Sequence, residues 1–354
     1  MRNITYSSRF RLRSEDQAAT PPEDLRAALA ARIIGQSTAV ESVVPYVEMH
    51  QANLAPEGRP AGVFLLMGPT GTGKTKTVEA LASILHGSEK NVLRIDCGEF
   101  QLDHEVAKLI GAPPGYLGHR ETQPLLTQNR LNSVTSDRSN LALVLFDEIE
   151  KAAPSLTRLL LGVLDKGVLR LGDNNSVNFE RSLVFLTSNL GARQMMKALR
   201  PDFGFHSGTV DHSAADKLEK IGMVAVRRKF APEFVNRIDR VVTYRPLTDP
   251  MLSQILNIQI EELQRLINVR LGGRAFTVDV TPTARRFLLE NGTSVEYGAR
   301  ELKRTIHRSL VQPIASMVAQ GAIEPGSTVE ADHTNHASGL SITCLDDTPR
   351  RKRA

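Results

Sequence analysis

The sequence lacks several features that define particular classes of protein. Its 354 residues include no tryptophan and only 5% aromatic residues, and its two cysteines, Cys97 and Cys344, lie far apart. No apolar run approaches the roughly 20 residues that a membrane-spanning helix needs, and no signal-peptide core opens the chain. These absences argue against a disulfide scaffold and a membrane protein. We expect reduced thiols and a cytoplasmic location, without membrane contact.

The sequence also has few residues at metal-ligand spacing and few clusters of charged residues. The nine histidines form one close pair, His333 and His336, without nearby thiolates or a second pair. Histidine and cysteine spacing therefore predicts no metal site. The net charge of +5 and the isoelectric point near 9.3 would permit contact with nucleic acid. Part of this excess is the basic run 350–353, which is typical of a solvated tail, so nucleic acid is not the favoured partner.

The most specific motif lies between a buried strand, 63–67, and a helical pattern that includes 80–85. It matches G-x-x-x-x-G-K-[ST] at every fixed position and consists of Gly68, Pro69, Thr70, Gly71, Thr72, Gly73, Lys74 and Thr75. The glycines let successive N–H groups point into one anion site at a helix N-terminus. Lys74 then reaches the β- and γ-phosphates, and the Thr75 hydroxyl binds Mg²⁺. The motif predicts a nucleoside triphosphate site for ATP and Mg²⁺, and its alternative is a chance glycine-rich turn.

Acidic and amide side chains follow two later apolar runs. Asp147 and Glu148 come directly after the predicted strand 141–146. Downstream of a phosphate-binding loop, such a pair is typical of the metal-and-water half of an NTPase. We predict that Asp147 holds Mg²⁺, directly or through its water shell, and that Glu148 polarises the attacking water. A buried strand that ends in two surface acids is the alternative. Asn189 follows the strand 183–186, where its amide is placed to bond the γ-phosphate or that water.

The element pattern predicts an α/β fold in two parts. Strands that alternate with helices imply a parallel five-stranded sheet covered on both faces, with strands at 63–67, 92–95, 141–146, 183–186 and 241–244. From Asp249 onward a long amphipathic helix, two further helices and short strands predict a smaller, mostly helical domain with a small sheet. The expected divisions are a flexible tail at 1–24, a large nucleotide-binding domain at 25–247, a small domain at 248–345 and a basic tail at 346–354.

Several short motifs occur in one characteristic order: IIGQ, GPTGTGKT, ID, LIGAPPGYLG, FDEIEKA, LTSNLG, FVNRID and YGARELKR. In this order they resemble the second ATPase module of the Clp ring unfoldases, over roughly residues 30–332. The resemblance implies an AAA+ P-loop module that hydrolyses ATP in a homo-hexameric ring. It also implies that the ring threads unfolded or aggregated protein through its central pore. Because only about 30 residues precede the match, we expect a single-ring protein.

The resemblance also assigns roles to single residues. Those assigned to the adenine region are Ile33, Ile34 and Gly35. Asn189 corresponds to the first sensor, and Arg300 resembles the second sensor, which ties the small domain to the nucleotide. Arg237 resembles an arginine finger, which adds positive charge at a neighbour's γ-phosphate only when subunits are assembled. A surface ion pair is the alternative for each arginine.

Three loops carry predictions about partners. Tyr116 resembles the pore-loop tyrosine that grips the substrate backbone, and its alternative is a tyrosine packed at the base of a loop. The loop 172–176 is a weaker candidate for a second pore loop. Phe203-Gly204-Phe205 lies where peptidase-linked Clp proteins carry a docking tripeptide. Packing of both phenylalanines against the large domain is favoured over docking to a Clp-type peptidase.

Two other functions remain open at this point. A nucleic-acid-directed AAA+ ATPase, such as a loader, is suggested by the basic charge balance, although the Gly-Tyr-Leu-Gly loop argues against it. A non-enzymatic assembly scaffold is the other alternative, and the presence of Glu148 and Arg237 argues against that one.

Overall fold

A computed structural model describes residues 24–111, 124–198, 212–294, 298–334 and 339–345. Within these ranges the helices are α1 Leu25–Ala30, α2 Ser37–Gln51, α3 Lys74–His86, α4 Ala107–Ile110, α5 Gln128–Ser133, α6 Pro154–Lys166, α7 Ala192–Ala198, α8 His212–Lys229, α9 Pro232–Val235, α10 Asp249–Leu271, α11 Pro282–Gly292, α12 Ala299–Ile306 and α13 Gln312–Ala319. The strands are β1 Gly62–Met67, β2 Leu93–Asp96, β3 Ala142–Asp147, β4 Val168–Arg170, β5 Ser176–Asn178, β6 Ser182–Ser188, β7 Arg240–Thr243, β8 Thr277–Val280, β9 Thr328–Asp332 and β10 Ser341–Leu345. The predicted α/β fold is confirmed.

The main sheet has five parallel strands in the order β2-β3-β6-β1-β7. Its three central strands, β1, β3 and β6, are buried along their whole length. Helices cover both faces of a parallel sheet, so its strands need apolar residues at consecutive positions, which explains the unbroken apolar runs. Parallel strands end at a common edge, and here β1 leads into the phosphate-binding loop beside the ends of β3 and β6. Ligands of open α/β sheets bind at this edge.

Alternate side chains of β1 enter different cores. Val63, Leu65 and Met67 pack with α6, α8 and α9 on one face of the sheet. Phe64 and Leu66 point to the other face, toward α1, α2 and α3. This alternation follows from the two-residue repeat of a strand. The sheet is thus clamped between two helical layers, which holds its carboxyl edge rigid.

A second sheet lies in the carboxy-terminal part, in the order β10-β9-β8. β8 and β9 pair in parallel, whereas β9 and β10 pair antiparallel. A separate core joins this sheet to α10, α11 and α12. The predicted small sheet and the mostly helical character of this part are both confirmed.

Several local predictions differ from the structure. The predicted loop 172–176 connects β4 and β5, an antiparallel pair whose short, half-exposed strands carry too few apolar residues to be recognised. Before α4 the chain forms a 3-10 helix, Asp103–Val106. The second of the two further helices predicted after Asp249 is divided in the structure, because a π-helical segment, His307–Val311, lies between α12 and α13. Helices α7 and α8 were not predicted. None of the helices in the described ranges is long and apolar enough to cross a membrane.

Candidate active site

The phosphate-binding loop joins β1 to α3. Gly73 adopts a positive φ of 104° immediately before α3 begins at Lys74. A side chain at Gly73 would meet no atom within 4 Å, so this turn faces open space. The backbone N–H groups at the start of α3 lack partners within the helix and point toward that space. The local sequence therefore builds an anion site at a helix N-terminus.

Lys74 is folded back onto this loop. Its Nζ donates to the carbonyl oxygens of Gly68 at 2.7 Å and Pro69 at 2.9 Å, and to Oδ1 of Asn189 at 2.9 Å. Burial lowers the pKa of Lys74 to about 8, and the negative charge of Glu150 opposes part of this shift. An anion at the loop would favour the protonated form of Lys74.

Asp147 and Glu148 are tied together by Thr187. One oxygen of the buried Asp147 carboxylate accepts a bond from the Thr187 hydroxyl, and the other accepts one from the Arg94 guanidinium. The Thr187 oxygen also accepts a bond from the backbone N–H of Glu148 at 3.0 Å. Since Thr187 lies at the end of β6 and the acids at the end of β3, neighbouring strands place all three groups.

Glu148 is connected to the phosphate-binding loop through Asn189. Its Oε1 accepts a bond from Nδ2 of Asn189 at 3.2 Å, and its Oε2 lies 2.5 Å from Nζ of Lys151. Asn189 in turn accepts the bond from Lys74, so a continuous path runs from Lys74 through Asn189 to Glu148. Glu148 has a left-handed backbone with φ 57°, a conformation that non-glycine residues rarely adopt and that clusters at active sites.

A cavity of about 430 Å³ opens beside the loop. Its lining includes residues 71–75 of the loop and an apolar side formed by Ile33, Ile34, Leu247, Ile255 and Ile258. Its charged lining consists of six basic side chains and two acidic ones, namely Arg32, Lys74, Lys76, Arg94, Arg300, Lys303, Glu79 and Glu89. An apolar wall suits a flat base, and a surplus of positive charge suits phosphates.

The carboxy-terminal part closes one side of this cavity. The backbone N–H of Ala299 donates to the carbonyl oxygen of Gly71 at 3.1 Å, so the start of α12 abuts the phosphate-binding loop. Arg300, the next residue, lines the cavity, and its charge contributes to the lowered pKa of Lys74. Gly35, which follows the cavity-lining Ile33 and Ile34, lies against the Met251 side chain of α10.

Arg237 lies apart from these residues. Its Nη1 donates to the carbonyl oxygen of Glu233 at 2.6 Å, and its Nη2 donates to Oδ2 of Asp165 at 3.3 Å. Its Nε is buried and has no hydrogen-bond partner among the described residues. The structure therefore does not bring Arg237 to the cavity of its own chain. Tyr116 and Phe203-Gly204-Phe205 lie outside the described residues.

Sequence reasoning missed four polar residues of the site. Arg94 and Thr187 hold Asp147, Lys151 holds Glu148, and Glu150 accepts a bond from the Asn189 backbone at 3.0 Å. The sequence could have indicated Thr187, because it stands at the end of a strand two residues before Asn189. It indicates Arg94 more weakly, as a charged residue within the predicted strand 92–95.

A phosphate-binding loop after β1, acids after β3 and an amide after β6 define a P-loop nucleoside triphosphatase. Comparison with known families is more specific. Residues 59–241 match the AAA domain (Cdc48 subfamily), and residues 247–331 match the C-terminal, D2-small domain, of ClpB protein. The chain belongs to the AAA family: it is an AAA+ ATPase module, and this class binds nucleotide.

Similar proteins support this assignment. The chain is 38% identical to the chaperone protein ClpB of Corynebacterium diphtheriae over 320 residues, which is 90% of this chain and 34% of that protein. It is 37% identical to ClpB of Rhizobium meliloti, over 85% of this chain and 32% of that protein. The chain thus spans about a third of the length of these relatives. The predicted resemblance to the second module of the Clp unfoldases is confirmed.

Solved structures agree. A closed-state structure of Hsp104 with ATPγS and casein matches with a TM-score of 0.73 and 27% identity, over 90% of this chain and 51% of that chain. An extended complex of Saccharomyces cerevisiae Hsp104 with casein matches with a TM-score of 0.73 and 28% identity, over 86% and 49% of the two chains.

Proposed function

We propose that this protein is an ATP-dependent protein unfoldase or remodelling chaperone. In this proposal it hydrolyses ATP in a homo-hexameric ring and threads unfolded or aggregated polypeptide through the central pore. The observation that carries the proposal is the hydrogen-bonded path from Lys74 through Asn189 to Glu148, beside a cavity closed by a ClpB-type small domain. The similar ClpB and Hsp104 proteins, the latter in complex with casein, support a protein substrate.

The residues present fit ATP with Mg²⁺. Lys74 lines the cavity with its ammonium held by the loop carbonyls, and the cavity carries a surplus of basic side chains. Thr75 and Asp147 offer the oxygen ligands that Mg²⁺ prefers. No group of three or more His, Cys, Asp or Glu residues in the described ranges could hold a metal ion by itself, so phosphate oxygens would complete the ligand set. When bound, Mg²⁺ would neutralise charge on the phosphates.

Other residues of the chain act on the water, the base and the small domain. Glu148, held by Asn189, polarises the attacking water and accepts its proton. Ile33, Ile34 and Gly35 border the adenine. Arg300 couples nucleotide binding to the small domain, because the first residue of α12 donates a hydrogen bond to the loop carbonyl of Gly71.

Arg237 would act on the ATP of a neighbouring subunit. Arg237 does not line the cavity of its own chain, and its Nε has no hydrogen-bond partner among the described residues, which fits a group that is completed by assembly. We also propose the domain division at 247/248, with a tail at 1–24 and a basic tail at 346–354, and a cytoplasmic location.

The test is the ATPase rate with and without a casein-like unfolded protein, and with and without DNA. We expect stimulation by the unfolded protein and none by DNA. Stimulation by DNA alone would favour the nucleic-acid-directed alternative.

Tyr116→Ala should keep most ATPase activity but lose unfolding of a folded substrate, because the variant removes the contact with the substrate and not the chemistry. Unfolding at the wild-type rate would contradict the pore-loop role of Tyr116.

A peptidase partner is a separate proposal. One copy of the tripeptide on each of six subunits would add avidity to a docking contact through Phe203-Gly204-Phe205. Gel filtration of the ring in ATP with a Clp-type peptidase from the same cell, comparing wild type with Phe205→Ser, tests it. Absence of a complex with the wild-type ring would mean that the protein works without a peptidase.

A further inference from the structure

Arg94 lies between two acidic side chains at the wall of the cavity. Its guanidinium donates to the Asp147 carboxylate, and its Nη1 lies 3.9 Å from Oε1 of Glu79. The Arg94 side chain is 51% exposed, whereas that of Asp147 is 11% exposed. Arg94 is therefore a solvent-accessible cation that caps a buried carboxylate, with a second anion within reach.

The oxygen that Arg94 holds is one that a metal ion would need. Thr187 bonds the other oxygen of Asp147, so neither carboxylate oxygen is free of a hydrogen-bond donor. A buried carboxylate without a compensating charge is costly, so Asp147 needs a cation beside it at all times. Arginine supplies one positive charge there, whereas Mg²⁺ supplies two.

We propose that Arg94 is an exchangeable counter-ion that neutralises Asp147 when Mg²⁺ is not bound and shifts toward Glu79 when the Mg²⁺–nucleotide complex enters. This inference rests on the proposed function, which assigns Asp147 to Mg²⁺. The exchange keeps Asp147 compensated throughout the nucleotide cycle. It also sets a threshold for the metal, because Mg²⁺ must displace a guanidinium before it can approach Asp147.

The experiment measures the affinity for a fluorescent ADP at a series of free Mg²⁺ concentrations, in wild type and Arg94→Gln. We expect the Mg²⁺ concentration at half-maximal binding to fall about fivefold in Arg94→Gln, the size of effect that a half-exposed ion pair supports. We also expect Mg²⁺ alone to raise the melting temperature of Arg94→Gln more than that of wild type, because the variant removes the guanidinium that bonds Asp147.

Arg32→Gln is the matched control. Arg32 lines the same cavity, but its Nη1 donates to the carbonyl oxygen of Ala28 at 3.0 Å and not to a carboxylate. This variant removes the same charge from the cavity, so it should weaken ADP binding at every Mg²⁺ concentration without moving the Mg²⁺ midpoint. An unchanged or higher midpoint in Arg94→Gln, or equal midpoint shifts in both variants, overturns the inference.

Two further variants separate the inference from the proposed function. Asp147→Asn should raise the Mg²⁺ midpoint, because it removes one of the proposed ligands, and if it keeps the wild-type midpoint, the assignment of Asp147 to Mg²⁺ fails. A raised midpoint in Asp147→Asn together with a wild-type midpoint in Arg94→Gln overturns the counter-ion role alone. If Arg94→Gln does not fold, Arg94→Lys replaces it, with a shift in the same direction of about twofold expected, and no shift overturns the inference.

Discussion

Glu148 is constrained by more groups than any other acidic residue of the site. Its backbone is left-handed, its N–H is bonded to Thr187, and its two carboxylate oxygens face Asn189 and Lys151. Such constraints fit the proposed role of Glu148, because a carboxylate that accepts a proton must be held at a defined position. An exposed acid on a mobile loop would not justify a strained backbone.

Glu148→Gln should therefore separate binding from chemistry. The amide keeps the shape of the side chain but cannot accept a proton, so ATP should bind as in wild type while turnover falls by about two decades. Lys74→Ala should instead weaken ATP binding itself, because it removes the ammonium of the anion site. Steady-state ATPase rates together with binding of a labelled nucleotide measure both effects. Near-normal turnover in Glu148→Gln would show that another group activates the water.

A variant of Arg237 should also separate ATP binding from hydrolysis, in this case across subunits. Arg237→Ala should bind ATP normally and hydrolyse it poorly, because we propose that the guanidinium of Arg237 acts on a neighbour's nucleotide. Mixing it with Glu148→Gln subunits should restore part of the activity, since some interfaces then pair an intact Arg237 with an intact Glu148. Asp165→Asn is the control, because it removes only the carboxylate that holds Nη2. Full ATPase activity in a monomer at working concentration would contradict a shared site.

At the scale of elements, α3 ends on a buried histidine that joins it to the chain before β3. Nε2 of His86 donates to the carbonyl oxygen of Leu141 at 3.1 Å, and Nδ1 accepts a bond from the Ser136 hydroxyl at 3.1 Å. Burial lowers the pKa of His86 from its usual 6.5, and the bond to Leu141 offsets part of that shift. The same helix begins at Lys74, so His86 anchors the far end of the element that carries the phosphate-binding loop.

This anchor should make stability depend on pH. Below pH 6.5 the unfolded chain takes up a proton at His86 before the folded protein does, so the free energy of unfolding should fall as the pH falls from that value. Urea midpoints at about pH 7.5 and pH 5.5 measure the loss. His86→Gln, which does not titrate, should reduce the difference between the two midpoints. An identical difference in wild type and His86→Gln would exclude His86 as its source.

At the scale of the whole molecule, the two parts of the chain meet around the cavity. Gly35, with φ 74°, lies against the Met251 side chain of α10, and a Cβ at Gly35 would clash with its sulfur. In addition, Nζ of Lys76 in α3 lies 3.8 Å from Oε1 of Glu262 in α10. Closure of the nucleotide cavity therefore depends on close contact between α10 and the segment before α2.

Gly35→Ala should weaken this closure. Gly58→Ala is a matched control, because Gly58 has nearly the same φ of 72° but nothing within 4 Å of an added Cβ. We expect Gly58→Ala to lose about 1 kcal/mol of unfolding free energy from backbone strain alone. Gly35→Ala should lose about 1–3 kcal/mol more through overpacking and should bind nucleotide less tightly.

Met251→Ala in the Gly35→Ala background tests the cause of that loss. Removing the methionine side chain makes room for the added methyl group, so the double variant should recover part of the binding loss. Denaturation curves and nucleotide titrations measure both quantities. Equal losses in Gly35→Ala and Gly58→Ala would show that the contact with Met251 does not matter.

The sequence by itself determined the phosphate-binding loop, the acids after β3, the amide after β6 and both sheets. These features are local: glycines at 68, 71 and 73 shape one turn, and apolar runs of a set length make buried strands. The order of motifs then indicated the family. The pair β4–β5 and the helix α7 escaped prediction, since short elements carry too few residues for a clear apolar pattern. Helix α8 also escaped prediction, although it is 18 residues long.

Only the tertiary structure decided which charges meet. Arg94 and Asp147 are 53 residues apart, and Thr187 is 40 residues from Asp147, so nothing in their spacing pairs them. Strand order makes these contacts: β3 lies between β2 and β6, and parallel pairing aligns their ends. The position of Arg237 beside Asp165 likewise depends on how α9 packs on α6. Local sequence specifies turns and strands, whereas the partner of a buried charge is specified by the arrangement of the strands and helices that surround it.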